Sequence, residues 1–272
     1  MRHSVTEPNP RRAAFRRPPV FALPAVFALL VLVVPLIGLL VRAPWSDLGT
    51  ELTAPEVRQA LWLSITTSLA ATGLAIVFGV PLAWVLARLQ FRGRAVLRAL
   101  IILPMVLPPV VGGVALLLAF GRRGLIGQWL DEAFGITIPF STTAVVIAEL
   151  FVAMPFLILA VEAALRSSER GYEEAAATLG ARPWMAFRRV TLPLIAPSLG
   201  AGAALCWARA LGEFGATITF AGNLPGTTQT MPLAVYLALQ SRPEGAIVLS
   251  LILLAVSLAV LVLLRDRWFA AA

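Results

Sequence analysis

Six stretches of about 20 mainly apolar residues recur along the chain, and that is the length an α-helix needs to cross the hydrocarbon core of a bilayer. They are residues 21–41, 61–87, 100–120, 144–165, 194–220 and 246–264. Of the 272 residues, 59% are hydrophobic and 13% are charged, whereas a soluble domain has roughly 45–50% apolar and about 25% charged residues. The sequence therefore predicts an all-α integral membrane protein with six transmembrane helices.

Side chains that carry enzyme chemistry are scarce in this sequence. All 22 basic residues are arginine, and without lysine the chain can form neither a P-loop that reaches nucleotide phosphates nor a Schiff base. His3 and Cys206 are the only histidine and the only cysteine, which excludes a zinc cluster, a disulfide or a thiol–imidazole pair within one chain. We expect no enzyme activity, no metal site and no cofactor bound by this chain itself.

The arginines are distributed unevenly between the two sides of the predicted spans. Sixteen lie in the two tails and in the second-to-third and fourth-to-fifth loops, five lie in the other loops, and Arg209 lies within a span. The positive-inside rule therefore places both termini in the cytoplasm, and it explains the net charge of +8 without nucleic-acid binding. The stretch 21–41 is too long for the apolar part of a signal peptide, so we interpret it as an uncleaved first span.

The cytoplasmic loop 166–193 contains an unusually polar, helix-prone segment, "YEEAAATLGARPWMAFRRVTLP" (residues 172–193). An apolar stripe at helical spacing runs through its first half and consists of Tyr172, Ala175, Ala176 and Leu179. Gly180 follows where a helix C-cap belongs, Pro183 suits the start of a second helix, and Pro193 indicates the turn into the next span. The pattern predicts two short helices hinged at Gly180. They either dock on a partner protein or lie on the lipid headgroups.

The third stretch contains residues that break helices. Pro104, Pro108, Pro109, Gly112 and Gly113 fall within it, and proline removes a backbone hydrogen bond and clashes with the preceding turn. Backbone freed in this way has to face protein or a water-filled cavity. The stretch therefore either lines a translocation pathway or contains a kink that lets neighbouring helices pack closely.

Polar residues also occur within and after the fifth stretch. Arg209 and Glu213 are four residues apart and share a helix face, so they form either a self-neutralising pair or an element of a gate. Thr217, Thr219 and Asn223 could donate hydrogen bonds to an anion, although hydroxyls in a span often bond to their own helix.

Two glutamates lie in the fourth stretch. Glu162 is near the cytoplasmic end, and we expect it to extend toward the interface. Glu149 has no evident partner in the sequence. After the fifth span, the external loop 223–232 is either a docking site for a substrate-binding protein or an ordinary surface loop.

The polar loop resembles the EAA motif of the permease subunits of ABC importers. The family pattern EAA-x3-G-x9-I-x-LP is matched by Glu174, Ala175, Ala176, Gly180, Leu192 and Pro193, with Val190 in place of isoleucine. The resemblance covers roughly residues 55–265. The stretches 103–127 and 209–236 are similar to the molybdate-permease branch of the family.

This resemblance implies a type I ABC importer permease fold and a homodimer in the bacterial plasma membrane. It implies import of molybdate or tungstate, with sulfate or another oxyanion as the alternative cargo. ATP and Mg would bind a separate cytoplasmic ATPase subunit, and a periplasmic or lipid-anchored protein would deliver the oxyanion. A secondary transporter is the alternative from another class, but it leaves the EAA pattern unexplained.

Two sets of candidate functional residues follow. The residues expected to couple the chain to the ATPase are Glu173, Glu174, Ala175, Ala176, Leu179, Gly180, Leu192 and Pro193. Those expected in the pathway or gate are Pro108, Pro109, Arg209, Glu213, Thr217, Thr219 and Asn223. In the first set, we expect the helix before Gly180 to transmit more of the ATPase movement than the helix after it.

The predicted organisation has four parts. A basic cytoplasmic tail (1–20) precedes the first span with its external loop (21–57). The permease core (58–265) and a short cytoplasmic tail (266–272) follow.

Overall fold

The computed structural model describes residues 22–46, 48–168 and 171–269, and this part of the chain is helical without strands. The predicted tail 1–20 and the last three residues of the tail 266–272 lie outside the described residues. The α-helices described are α1 Ala22–Val41, α2 Leu48–Thr53, α3 Pro55–Arg88, α4 Arg94–Val106, α5 Pro109–Phe120, α6 Gly127–Phe134, α7 Thr142–Ser167, α8 Gly171–Thr178, α9 Pro183–Ala186, α10 Leu192–Leu211, α11 Gly215–Phe220, α12 Met231–Ser241 and α13 Pro243–Phe269.

The chain divides into two compact units, Met1–Ala43 and Pro44–Ala272. In the first unit, α1 is a 20-residue helix that contains no charged residue and buries none of its side chains. A helix that is apolar on every side suits contact with lipid. It coincides with the first predicted span.

In the second unit, α7 packs against both α3 and α10. Their shared core contains small residues at the points of closest approach. A Cβ atom at Gly79 of α3 would lie 3.2 Å from the Ile158 side chain, and one at Gly202 of α10 would lie 2.8 Å from the Ala160 Cβ. Lipid provides no hydrophobic force between helices, so close backbone approach through small residues is a main source of their attraction.

The third predicted span is broken at its prolines, as the sequence predicts. Helices α4 and α5 meet at an angle of 117°. Leu107 and Pro108, the two residues between them, both have extended backbone. Each of them precedes a proline, and a residue before proline is pushed out of the helical region. This is the geometry of a broken span or of a re-entrant loop.

The fifth predicted span also ends earlier than expected. Helix α10 stops at Leu211, and three non-helical residues separate it from the short helix α11. The sequence analysis missed α12, which follows the loop after α11 and packs on α13. The stretch 194–220 is mainly apolar, and the helix break after Leu211 divides it into two elements.

Among the residues that the structure describes, four helical segments are long and apolar enough to cross a bilayer: Ala22–Val41, Pro55–Arg88, Thr142–Ser167 and Pro183–Leu211. The bent pair α4 and α5 counts as a fifth if it forms one crossing. The sixth predicted stretch, 246–264, lies within α13. The molecule is therefore a multi-pass membrane protein built from helices.

The contact between α5 and α11 gives a test of this packing. A Cβ atom at Gly113 would lie 2.6 Å from the Thr219 Cβ and 2.8 Å from the Ala216 carbonyl oxygen. We expect Gly113→Ala to destabilise the protein by about 1–3 kcal/mol, because overpacking forces the backbone to shift. The measurement is thermal unfolding of the purified protein in detergent.

Gly200→Ala in α10 is the matched control, since a Cβ atom there would meet nothing within 4 Å. This variant should unfold at the wild-type temperature or slightly above it, because alanine favours helix over glycine. Equal unfolding temperatures for Gly113→Ala and Gly200→Ala would contradict the close contact.

Candidate coupling segment and translocation elements

The coupling segment, residues 171–193, contains the first short helix that the sequence predicts, α8, whereas the second predicted helix, α9, continues into a longer helical segment. Helix α8 ends in a turn at Gly180, whose φ is +85°. The Gly180 N–H bonds to the Ala177 carbonyl (2.9 Å) and the Ala181 N–H to the Ala176 carbonyl (3.0 Å). This pair of bonds is a Schellman cap, which requires a left-handed residue at its centre. Glycine is therefore needed at the elbow for conformational reasons.

An apolar surface covers the outer side of the coupling segment. Leu179 is 88% exposed and Trp184 is 70% exposed, and Tyr172 and Met185 are exposed as well. The Trp184 ring stacks on the Phe187 ring with centroids 5.7 Å apart, and Phe187 in turn packs against the core of the second unit. Large apolar side chains exposed together in a charged segment are typical of a protein or membrane contact.

Pro193 does not mark a turn, contrary to the sequence analysis. Residues from Pro183 to Leu211 form one continuous helical segment, with a π-helical turn, Phe187–Thr191, between α9 and α10. The Leu192 N–H bonds to the Phe187 carbonyl, five residues back. A π-bulge absorbs a change in the hydrogen-bond pattern without ending the helix. Leu192 and Pro193 therefore start a span and lie away from the exposed elbow.

The adjacent glutamates of α8 have different surroundings. Glu174 is exposed. The Glu173 carboxylate accepts a hydrogen bond from Arg88 Nη2 at 2.7 Å and another from the Thr191 hydroxyl at 2.9 Å. Ala175 is exposed and Ala176 is half-buried. The predicted coupling residues thus divide into an outward set and an inward set.

Helices α5 and α11 form a second polar and glycine-rich region. Besides the Gly113 contact, a Cβ atom at Gly215 would lie 2.6 Å from the Pro109 Cβ. The first turn of α5, set by the Pro108–Pro109 break, is thus fixed against α11 by glycine at both contacts. The structure brings Pro109 of α5 into contact with Gly215 of α11.

Arg209 and Glu213 form the i, i+4 ion pair that their spacing indicates. Glu213 is buried, and its second oxygen accepts a hydrogen bond from the Ala216 N–H at 2.9 Å. Arg209 is only partly buried, with 28% of its side chain exposed. The pair therefore connects the end of α10 to the start of α11 across the helix break.

The three predicted hydrogen-bond donors behave differently. The Thr219 hydroxyl donates to the carbonyl of Gly215 in its own helix (2.9 Å). Within the described residues, the buried Thr217 hydroxyl and the Asn223 side-chain oxygen have no hydrogen-bond partner. The Thr217 hydroxyl of α11 is therefore a donor without a partner, whereas Thr219 donates to its own helix and the unpaired Asn223 atom is an acceptor.

The sequence analysis missed a buried polar face on α3. It consists of Ser64, Thr67, Ser68 and Thr72. Thr67 donates to Glu149 of α7 (2.9 Å), which supplies the partner that the sequence did not reveal, and the Trp207 indole N–H donates to Ser68 (2.8 Å). The spacing i, i+3, i+4, i+8 is the signal that was available, because it places all four side chains on one helix face.

Glu162 does not extend to the interface as expected. Its side chain is buried and lies 2.8 Å from Arg166 and 3.4 Å from Arg98. The pairing joins the first half of α4 to the end of α7. A buried carboxylate requires such partners because desolvation of an isolated charge is costly.

Arg209→Ala should destabilise the protein, because it leaves the buried Glu213 carboxylate without its counter-ion. Breaking a buried pair by removing one partner costs about 3–5 kcal/mol, and we expect a smaller value here because Arg209 is partly exposed. Thermal unfolding in detergent measures the effect. Adding Glu213→Gln to Arg209→Ala should recover part of the loss.

The surface pair of Arg122 and Asp131 (3.4 Å) provides the control. Arg122→Ala should change stability by about 0–1 kcal/mol, since exposed pairs contribute little. A loss in Arg209→Ala no larger than in Arg122→Ala would contradict a structural role for the buried pair.

Comparison with known proteins places these features in a family. Residues 75–271 match the model of the binding-protein-dependent transport system inner membrane component family. Molybdenum transport system permease protein ModB of Mycobacterium tuberculosis is 51% identical over 237 residues, which cover 86% of this chain and 89% of that protein. ModB of Escherichia coli is 43% identical over 219 residues, which cover 80% of this chain and 95% of that protein. Sulfate transport system permease protein CysT of Escherichia coli is 37% identical over 235 residues, which cover 85% of this chain and 84% of that protein.

Solved structures with low sequence identity share the fold. A bacterial ABC transporter involved in the import of the acidic polysaccharide alginate aligns with a TM-score of 0.70 at 18% identity, covering 92% of this chain and 94% of that chain. The MetNI methionine ABC transporter, in an inward-facing conformation, aligns with a TM-score of 0.60 at 18% identity, covering 79% and 96%. The resemblance inferred from the EAA pattern is thereby confirmed, and the chain belongs to the family of binding-protein-dependent transport system inner membrane components.

Proposed function

We propose that this chain is the membrane-spanning permease subunit of an ATP-driven importer whose cargo is molybdate or tungstate. The observation that carries the proposal is the identity of 51% and 43% to molybdenum transport system permeases over at least 80% of the chain. The coupling segment with its exposed apolar surface supports the same function. The permease has no catalytic residues of its own.

The partner at the coupling segment is a cytoplasmic ABC ATPase subunit, which binds ATP and Mg. The exposed Leu179 and Trp184 would enter an apolar cleft of that subunit, and Glu174 would meet its polar rim. The absence of lysine from the whole chain is consistent with a nucleotide site on another protein. Closure of the ATPase on ATP would move α8 and change the accessible side of the pathway.

The topology is six crossings with both termini in the cytoplasm of a bacterial cell. The arginine distribution supports this orientation, and α1, α3, the α4–α5 pair, α7, α9–α10 and α13 are the six candidate segments. Two copies of the chain would form one pathway. A periplasmic or lipid-anchored oxyanion-binding protein would dock outside, as a periplasmic protein does in the alginate transporter complex.

The pathway or gate lies where α5 meets α11. The broken backbone at Pro108 and Pro109 and the unpartnered Thr217 hydroxyl, which can donate to an anion, support this location. Donors that bind weakly suit a pathway, because a tight site would hold the anion and prevent its release. Glu213 acts as the counter-ion of Arg209 and would repel an anion directly.

Sulfate is the second candidate cargo, favoured by the 37% identity to the sulfate permease CysT. Uptake by proteoliposomes that contain the permease, its ATPase and its binding protein separates the two. We expect ATP-dependent uptake of labelled molybdate that unlabelled tungstate competes for and sulfate does not. Faster uptake of sulfate than of molybdate would overturn the choice of cargo, and uptake without ATP would overturn the importer class.

The elbow at Gly180 provides a test of coupling. Gly180→Val forces a β-branched residue into left-handed backbone, at a cost of roughly 1–2 kcal/mol, and we expect it to disrupt the cap that orients α8. Molybdate uptake in proteoliposomes should fall strongly.

Gly93 is the matched control, because it also has positive φ (+95°) and open space around its Cβ position, but it lies between α3 and α4. Gly93→Val carries the same backbone strain and should leave most of the uptake intact. If both variants lost uptake equally, the effect would be one of strain and not of coupling.

A further inference from the structure

Arg88 lies at the point where α3 meets the coupling segment. Its side chain is only 8% exposed although it belongs to the last turn of a helix at the cytoplasmic end of the molecule. Its Nη2 atom donates to the Glu173 carboxylate at 2.7 Å and to the Ser168 hydroxyl at 3.0 Å. One guanidinium group therefore connects the end of α3 to the end of α7 and to α8.

Glu173 extends this connection to a third span. The same carboxylate oxygen that accepts from Arg88 also accepts from the Thr191 hydroxyl, 2.9 Å away. Thr191 is 2% exposed and belongs to the π-helical turn that continues into α10. The cluster Arg88–Ser168–Glu173–Thr191, called the latch below, thus ties α8 to α3, α7 and α10.

These are the three helices whose mutual packing forms the centre of the second unit. Charge-assisted hydrogen bonds are shorter and stronger than neutral ones, and a largely buried pair is screened little by salt. A force applied to α8 would therefore be transmitted to the core through the latch. Without it, the chain connections of α8 and its packing against α9 and the π-helical turn would be the remaining links.

Glu174 has none of these contacts. Successive residues of an α-helix point about 100° apart, so the inward position of Glu173 leaves Glu174 exposed on a different face. The two glutamates are chemically identical and adjacent, but one contacts the permease itself and the other is available to a partner.

We propose that Glu173 is a positioning residue that transmits movement of the coupling helix to the membrane core through Arg88 and Thr191. This proposal rests on the proposed function, because it assumes an ATPase docked at α8. It makes Glu173 essential for coupling transport to ATP hydrolysis and not for holding the ATPase subunit.

The test compares Glu173→Gln and Thr191→Val with two controls, Glu174→Gln on the same helix and Arg92→Gln, an exposed arginine just beyond α3. The first readout is the ratio of molybdate taken up to ATP hydrolysed by the assembled transporter. We expect both latch variants to lower this ratio by roughly tenfold, since changes along a coupling network have effects of that order. A merely structural defect would lower uptake and hydrolysis together and leave the ratio unchanged.

The second readout is co-purification of the ATPase subunit. Glu173→Gln should retain the subunit, Glu174→Gln should lose part of it, and Arg92→Gln should match the wild type in both readouts. The double variant Arg88→Gln/Glu173→Gln should be no worse than Glu173→Gln alone, because both remove the same link. A wild-type ratio in Glu173→Gln, or loss of the ATPase subunit equal to that in Glu174→Gln, would overturn the proposal.

Amide hydrogen exchange of residues 171–180 in the purified permease tests the latch without any substrate. We expect faster exchange of this segment in Glu173→Gln and Thr191→Val than in the wild type, and wild-type exchange in Glu174→Gln. If the wild-type complex takes up no molybdate, the proposed function fails, and unchanged exchange in Glu173→Gln would separately overturn the latch.

Discussion

Backbone N–H and C=O groups have to be hydrogen-bonded within the protein wherever a chain crosses lipid, and this constraint decides where the helices break. The two interruptions, at Pro108 and after Leu211, lie next to each other because α5 packs on α11. Glycine at positions 113 and 215 lets the two backbones approach until no Cβ atom fits between them. Each break is therefore shielded from lipid by the helix that packs on it. This packing allows a broken, polar region inside an apolar bundle.

The buried glutamates of the second unit also have partners within the protein. Each buried glutamate reaches a partner: Glu149 an α3 hydroxyl, Glu162 two arginines, and Glu213 an arginine and a backbone N–H. Each partnership also joins two elements, such as α3 to α7 or α4 to α7. The buried glutamates and their partners thus fix the arrangement of the helices in this permease.

The coupling segment has an exposed outer side and an inner side that is attached to the core. Its elbow turns on one glycine, and its outer surface exposes Leu179 and Trp184, whereas Glu173 and Phe187 attach its inner side to the core. A segment that transmits a force needs both surfaces, one that contacts the partner and one that contacts the membrane core. Glu174 belongs to the exposed surface, and the adjacent Glu173 belongs to the attached one.

The sequence by itself determined the membrane class, the position of α1 and the short helix α8 with its cap at Gly180, because length, apolarity and glycine capping act within a few residues. It also indicated the Arg209–Glu213 pair, whose members are one helical turn apart. Only the tertiary structure decided the 117° angle at Pro108, the end of α10 at Leu211 and the inward direction of Glu173. Arg88 and Glu173 are 85 residues apart in the chain. Local patterns carry no information about such contacts, since they arise only when α3, α7 and α10 pack together.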